Sequence, residues 1–128
     1  MLYKEESHGV TRMSTQFLND SLKHCHGEVI TIGGNIDESG EQSVTFNTDT
    51  GETIEVNGFS WGYMGEGPRG LFEAAQRLGF IQLTMELVGR FPQDQSWRVC
   101  KYGCIGNGLC FTKTGIGSLK IGIGSPIA

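Results

Sequence analysis

Glu28-Val29-Ile30-Thr31-Ile32 is closed by Gly33-Gly34, and Ser43-Val44-Thr45-Phe46-Asn47 follows it. Asp49-Thr50-Gly51 then turns the chain into Glu52-Thr53-Ile54-Glu55-Val56. The second and third of these runs alternate, and the first is rich in β-branched residues, so all three read as strands. The Asp-Thr-Gly linker is turn chemistry. Three short strands joined so closely form an antiparallel meander with one dry face and one wet face.

Outward from the meander, residues 14–26 read as a helix. Phe17, Leu18, Leu22 and Cys25 share one face, and Gly27 stands where a C-terminal cap is expected. Pro68 suits the first position of a second helix, with Gly67 before it, carrying Leu71, Phe72, Ala74, Ala75 and Leu78, which Gly79 ends. Residues 80–88 fit either helix or strand, and strand is the preferred reading, because Gly79 leaves little room for a helix to continue. Residues 96–105 and 109–112 read as strands joined through Asn107-Gly108. Residues 115–124 alternate glycine with larger side chains, as a strand that another backbone approaches closely does. Residues 1–12 lack a period and read as a loose arm or an edge strand. The expectation is an α+β fold, an antiparallel sheet of about five or six strands with two helices on one face, in a single domain over residues 1–128.

The chain has 128 residues, 20 of them glycine, and a formal net charge of −4. That length buries one core. The acidic balance argues against a direct nucleic-acid or membrane-surface binder, which needs an excess of Lys and Arg. No apolar run is long enough to span a bilayer. The polar, acidic start, Met1-Leu2-Tyr3-Lys4-Glu5-Glu6, is unlike a signal peptide. A cytoplasmic location with reduced cysteines is therefore expected.

The most concentrated local signal is Gly58-Phe59-Ser60-Trp61-Gly62-Tyr63-Met64-Gly65-Glu66-Gly67-Pro68-Arg69-Gly70-Leu71, with three large aromatics and five glycines. A helix that starts at this loop presents unsatisfied N–H groups, which attract anions. Arg69 adds a forked, permanent charge suited to phosphate, and Trp61 or Tyr63 offers a stacking ring. Trp61, Tyr63, Gly65, Glu66, Gly67, Arg69 and Gly70 are thus the candidate residues for an anionic, nucleotide-like ligand. Two other readings stand beside this one. Glu66 satisfies the free donors itself in the first, and the loop is a turn pinned into the core. In the second the loop is a partner surface. Gly65-x-Gly67-x-x-Gly70 has the letters of a dinucleotide fingerprint, but Pro68 is out of place and the preceding strand is antiparallel.

The pattern F-x-W-G-Y-x-G-x-G-P-x-x-L, here Phe59, Trp61, Gly62, Tyr63, Gly65, Gly67, Pro68 and Leu71, resembles a signature of small uncharacterised proteins of phages and bacterial mobile elements. The resemblance implies a genomic setting and no activity. In that setting a nucleotide binder sequesters a host immune signal. The alternative is a protein–protein antagonist of a host defence complex, of the anti-CRISPR kind, acting through an acidic face of Asp37, Glu38, Glu41, Asp49, Glu52 and Glu55.

Cys100, Cys104 and Cys110, with His24-Cys25-His26, lack zinc-knuckle spacing. On a strand Cys100 and Cys104 stand roughly 13 Å apart. A two-residue hairpin turn sets Cys104 and Cys110 on opposite faces, whereas a three-residue loop sets them opposite each other. Buried free thiols are the default, and four reduced cysteines with no metal and no cofactor are expected. No nucleophile–base set is legible, since Cys25 and its histidine neighbours diverge by about 100° on a helix, so the chain does not read as an enzyme. Edge strands and the glycine-alternating tail suggest a homodimer or larger assembly.

Overall fold

The computed structural model describes residues 1–6 and 9–102, and the backbone of 109–113 and 116–120. The elements run β1 (Leu2–Lys4), α1 (Thr11–Leu22), β2 (Val29–Ile36), β3 (Gln42–Thr48), β4 (Thr53–Val56), α2 (Glu66–Arg77), α3 (Met85–Arg90), β5 (Ser96–Cys100), β6 (Leu109–Lys113) and β7 (Ile116–Lys120). The fold is α+β. One sheet is ordered β1-β4-β3-β2-β5-β6-β7. Strands β1–β5 are described with their side chains, and β6 and β7 extend the sheet.

The β2-β3-β4 meander is antiparallel, in register through Ile32↔Phe46 and Phe46↔Ile54. Alternation buries Val44, Phe46, Ile54 and Val56 on one face, where Ile32, Trp97 and Val99 join them. All three helices pack against that face through Leu18, Leu71, Ala74, Ala75 and Val88. The opposite face carries Thr31, Thr45, Asn47, Thr53 and the exposed Arg98 and is half-exposed. The sheet is not wholly antiparallel: β1 pairs in parallel with β4, through Tyr3↔Ile54. The arm reaches that edge by way of α1 and two further strands, and a long excursion of this kind permits a parallel neighbour.

Helix α1 begins at Thr11, earlier than its apolar stripe suggested, and gives up α geometry after Leu22. The N–H groups of Lys23, His24 and Cys25 bond three residues back, to Asp20, Ser21 and Leu22, at 3.0–3.2 Å, which tightens the end of the helix. Ser14 is wholly buried inside it.

Residues 80–88 do not form a strand. Past Gly79, at φ 93°, the chain turns, and the Phe80 N–H bonds back to Ala75 at 2.8 Å. Phe80 and Leu83 enter the core as separate anchors. Thr84 then caps α3, accepting the Leu87 N–H at 3.2 Å. The Asn107-Gly108 turn, Cys104 and residues 121–124 of the tail lie outside the described residues. Cys100 is disulfide-bonded and Cys25 is a free thiol. The expectation of four reduced thiols is therefore corrected: it rested on a compartment taken from the polar chain start, and the pairing weighed from sequence was between Cys104 and Cys110, whereas Cys100 is one of the bonded cysteines.

Candidate functional site

The motif loop joins β4 to α2, and its residues divide between core and surface. Trp61 is fully buried. Its indole N–H donates to the Pro92 carbonyl at 3.0 Å, and its ring meets Trp97 edge-on at 5.4 Å between centroids. That ring holds the loop in place and cannot stack on a ligand. Gln42 fixes the loop further, accepting the Trp61 N–H at 3.1 Å and donating to the Gln93 carbonyl at 3.1 Å. Gly62 takes φ 92°, and a Cβ there would lie 2.2 Å from the Gln93 side chain.

The remaining motif residues lie at the start of α2. Gly65 is the N-cap, with extended backbone and no side-chain bond to the helix. Pro68 falls in the first turn, as expected, but in the third helical position, behind Glu66 and Gly67. The Arg69 N–H donates to the Gly65 carbonyl at 3.0 Å, so it makes the helix's own bond and is not free for an anion. Pro68 has no N–H, so the outward amides of the turn belong to Glu66 and Gly67. The Ser60 and Tyr63 hydroxyls are 2.9 Å apart beside them. A Cβ on Gly67 would lie 2.1 Å from Ser60 Oγ, so only glycine admits this approach. Gly70 is buried where α2 passes Thr11 and Phe59.

A hollow of about 480 Å³ opens here, lined in part by Ser60, Tyr63, Glu66, Gly67, Gln42 and Glu41. Trp61, Gly65, Arg69 and Gly70 do not line it. The structure thus brings Tyr63, Glu66 and Gly67 together and leaves the arginine outside. A second hollow, of about 840 Å³, shares Gly9, Glu41, Gln42 and Asn57 with the first. The two make one groove, lined by Glu5, Glu6, Asp37, Glu41, Glu55 and Glu66, with Lys4 as the one Lys or Arg among its described lining residues.

Specific bonds fix this acidic wall. Asp37 Oδ1 accepts from the Ser39 hydroxyl at 2.7 Å and from the Ser39 and Glu41 amides at 2.9 Å. The Ser39 hydroxyl bond first, then the Glu41 amide, hold its carboxyl below the ordinary range, so it stays charged. Glu5 is buried, accepting the Ser14 hydroxyl at 2.6 Å and the Asn57 N–H at 3.1 Å. It ties the N-terminal arm to α1 and to the residue just before the motif loop.

Of the acidic face expected from sequence, Asp37, Glu41 and Glu55 converge on the groove. Glu38 shares Asp37's turn without lining it. Asp49 and Glu52 sit at the opposite end of the meander, and Glu52 is buried. Glu52 accepts the Thr50 and Thr48 hydroxyls at 2.6 and 2.7 Å and the His26 N–H at 2.9 Å. Those bonds, Thr50 first, lower its pKa to about 2. Lys4, Glu5 and Glu6 were not expected in the site, because the arm has no period. The run of charge at residues 4–6 was the one signal available.

Among the described residues no cluster of three or more His, Cys, Asp or Glu side chains is arranged to hold a metal, and no helix is long and apolar enough to cross a membrane. The chain matches no protein-family model, and comparison finds neither a similar curated protein nor a similar solved structure. Function is therefore argued from the site alone.

Proposed function

We propose that this chain is a non-catalytic binding protein that takes a basic segment of a protein partner into its acidic groove. One observation carries the reading: among the described residues six carboxylate residues line the groove against Lys4, while the motif arginine stays outside. Like-signed groups held in one concavity raise the local potential and draw oppositely charged partners. In the phage or mobile-element setting that the motif implies, the partner is a host defence protein. Its basic surface, built to hold nucleic acid, is masked by the groove.

A nucleotide-like ligand at the start of α2 is the second reading. The outward amides of Glu66 and Gly67 and the ring of Tyr63 favour it. Glu41 and Glu66 in the same lining oppose it.

Titration calorimetry with poly-Arg peptides and with nucleotides separates the two. The first reading expects the peptide to bind, and Glu41→Gln with Glu55→Gln to weaken it about tenfold, with steep salt dependence. Nucleotide binding that Gly67→Ala abolishes, with no peptide binding, would install the second reading instead.

A further inference from the structure

The smaller hollow of the groove, about 480 Å³, differs in chemistry from the larger one. Glu41 and Glu66 both line it, and among its described lining residues there is no Lys, Arg or His. Neither of these two carboxylates makes a hydrogen bond or an ion pair among the described residues. Other acids of the fold are already engaged: Glu28 by Lys101, Glu86 by Arg90, and Glu52 by two threonine hydroxyls. Glu66 also stands in the first turn of α2, where its charge offsets the positive end of the helix.

Tyr63 is the aromatic platform of this hollow. Its side chain is 46% exposed, yet the motif fixes it. Its hydroxyl lies 2.9 Å from Ser60 Oγ. A Cβ on Gly65 would lie 2.7 Å from Tyr63 Cε2, and one on Gly67 would lie 3.1 Å from the Tyr63 hydroxyl. The Gly65-x-Gly67 spacing thus leaves room for the ring to lie against the start of α2, with Glu66 between the two glycines. A ring held in this way loses little freedom when something stacks on it. A third hollow, of about 310 Å³, lies on the α1 side of the arm, with Met13 and Phe17 as its apolar lining. It too has a ring, but its Asp20 is already met by Lys23, at 3.7 Å.

We infer that the smaller hollow is an arginine subsite: the guanidinium of one arginine in the partner's basic segment stacks on the Tyr63 ring and is held by Glu41 and Glu66. A guanidinium is flat, permanently charged and weakly hydrated, so it can lie on a ring and still direct its N–H groups sideways to carboxylates. A lysine ammonium is compact and strongly hydrated and has no flat face to stack. The inference rests on the acidic-groove reading and adds to it the residue that anchors the partner. It also gives the motif's Tyr63, Gly65 and Gly67 one shared task.

The test uses the full chain and two lysine-rich peptides that differ at one central position, Arg in one and Lys in the other. The arginine peptide should bind about fivefold tighter or more, the increment of a stacked cation. Tyr63→Leu should erase that ratio while the all-lysine peptide binds as before, and Tyr63→Phe, which keeps the ring, should retain it. Glu41→Gln with Glu66→Gln should also bring the ratio to about one. In the parent complex, NMR should show the arginine δ-protons shifted upfield and in contact with the Tyr63 ring, a readout that does not depend on how stable the variants are. Equal binding of the two peptides, a ratio that survives Tyr63→Leu, or no contact between arginine and Tyr63 would overturn the subsite and leave the acidic groove standing. If neither peptide binds, both readings fall.

Discussion

Two single residues decide much of this molecule's behaviour. Glu52 stabilises the β3–β4 turn as a carboxylate, because its main partners are hydroxyls and amides that donate to it. Its folded pKa, about 2, lies below the ordinary 4.5. The stability it contributes is therefore fully present above pH 4.5 and is lost as pH falls toward 2. Glu52→Gln should lower the melting temperature at neutral pH and flatten its fall across that acid window, which a melting series against pH reads directly. At Gly67 the constraint is steric. Gly67→Ala pushes a methyl into Ser60 Oγ, 2.1 Å from the ideal Cβ, and overpacking of this kind costs about 1–3 kcal/mol. Ser60→Gly should recover part of that loss in denaturant titration. If the double variant melts no higher than Gly67→Ala alone, the hydroxyl is not the obstacle.

Among the elements, α3 depends on its cap. It is six residues long, too short to persist on propensity alone, and Thr84 satisfies its first turn. Thr84→Ala should cost about 1 kcal/mol, and hydrogen exchange should show faster opening over residues 85–90 than elsewhere. Thr84 was not singled out from the sequence, because residues 80–88 were read as one element, a strand, on the ground that Gly79 leaves little room for a helix to continue. Burial explains the error: Phe80 and Leu83 are separate core anchors in a turn, whereas Ile81 is 74% exposed, so no period of two exists there. The meander was legible because each of its strands has one dry face, and alternation records this directly. The first turn of α2 was legible from Pro68. The division of the motif was not. Trp61 and Tyr63 are the same kind of residue two positions apart, and only packing against Trp97 decides that one is core and the other surface. The groove was half-legible, in Asp37, Glu41 and Glu55. Its other wall comes from the arm, brought there by a parallel pairing that local sequence does not encode.

At the scale of the whole molecule, the arm, α1 and the motif loop are one mechanical unit with Glu5 at its centre. The Glu5 carboxylate takes the Ser14 hydroxyl at 2.6 Å and the Asn57 N–H at 3.1 Å. Ser14 Oγ in turn accepts the Gly58 N–H at 2.8 Å. Three distant segments thus meet at a buried carboxylate, and Glu5 also lines the hollows on both sides of the arm. Removing one partner of such a network strands the others without water, a penalty of about 1–3 kcal/mol for each orphaned group. Glu5→Ala should therefore destabilise the fold and also loosen residues 1–6 and 57–58 together, visible as joint loss of hydrogen-exchange protection. Glu5→Gln keeps the shape and one acceptor oxygen, so it should retain much of the stability while removing one charge from the groove. The pair of variants separates the two roles. If the basic peptide binds Glu5→Gln as tightly as the parent while Glu5→Ala binds weakly, Glu5 acts by holding the arm. If both weaken equally at matched folded fraction, its charge is part of the attraction. Should Glu5→Ala melt with the parent and keep its protection, the arm is not coupled to the motif loop, and the groove's second wall is independent of its first.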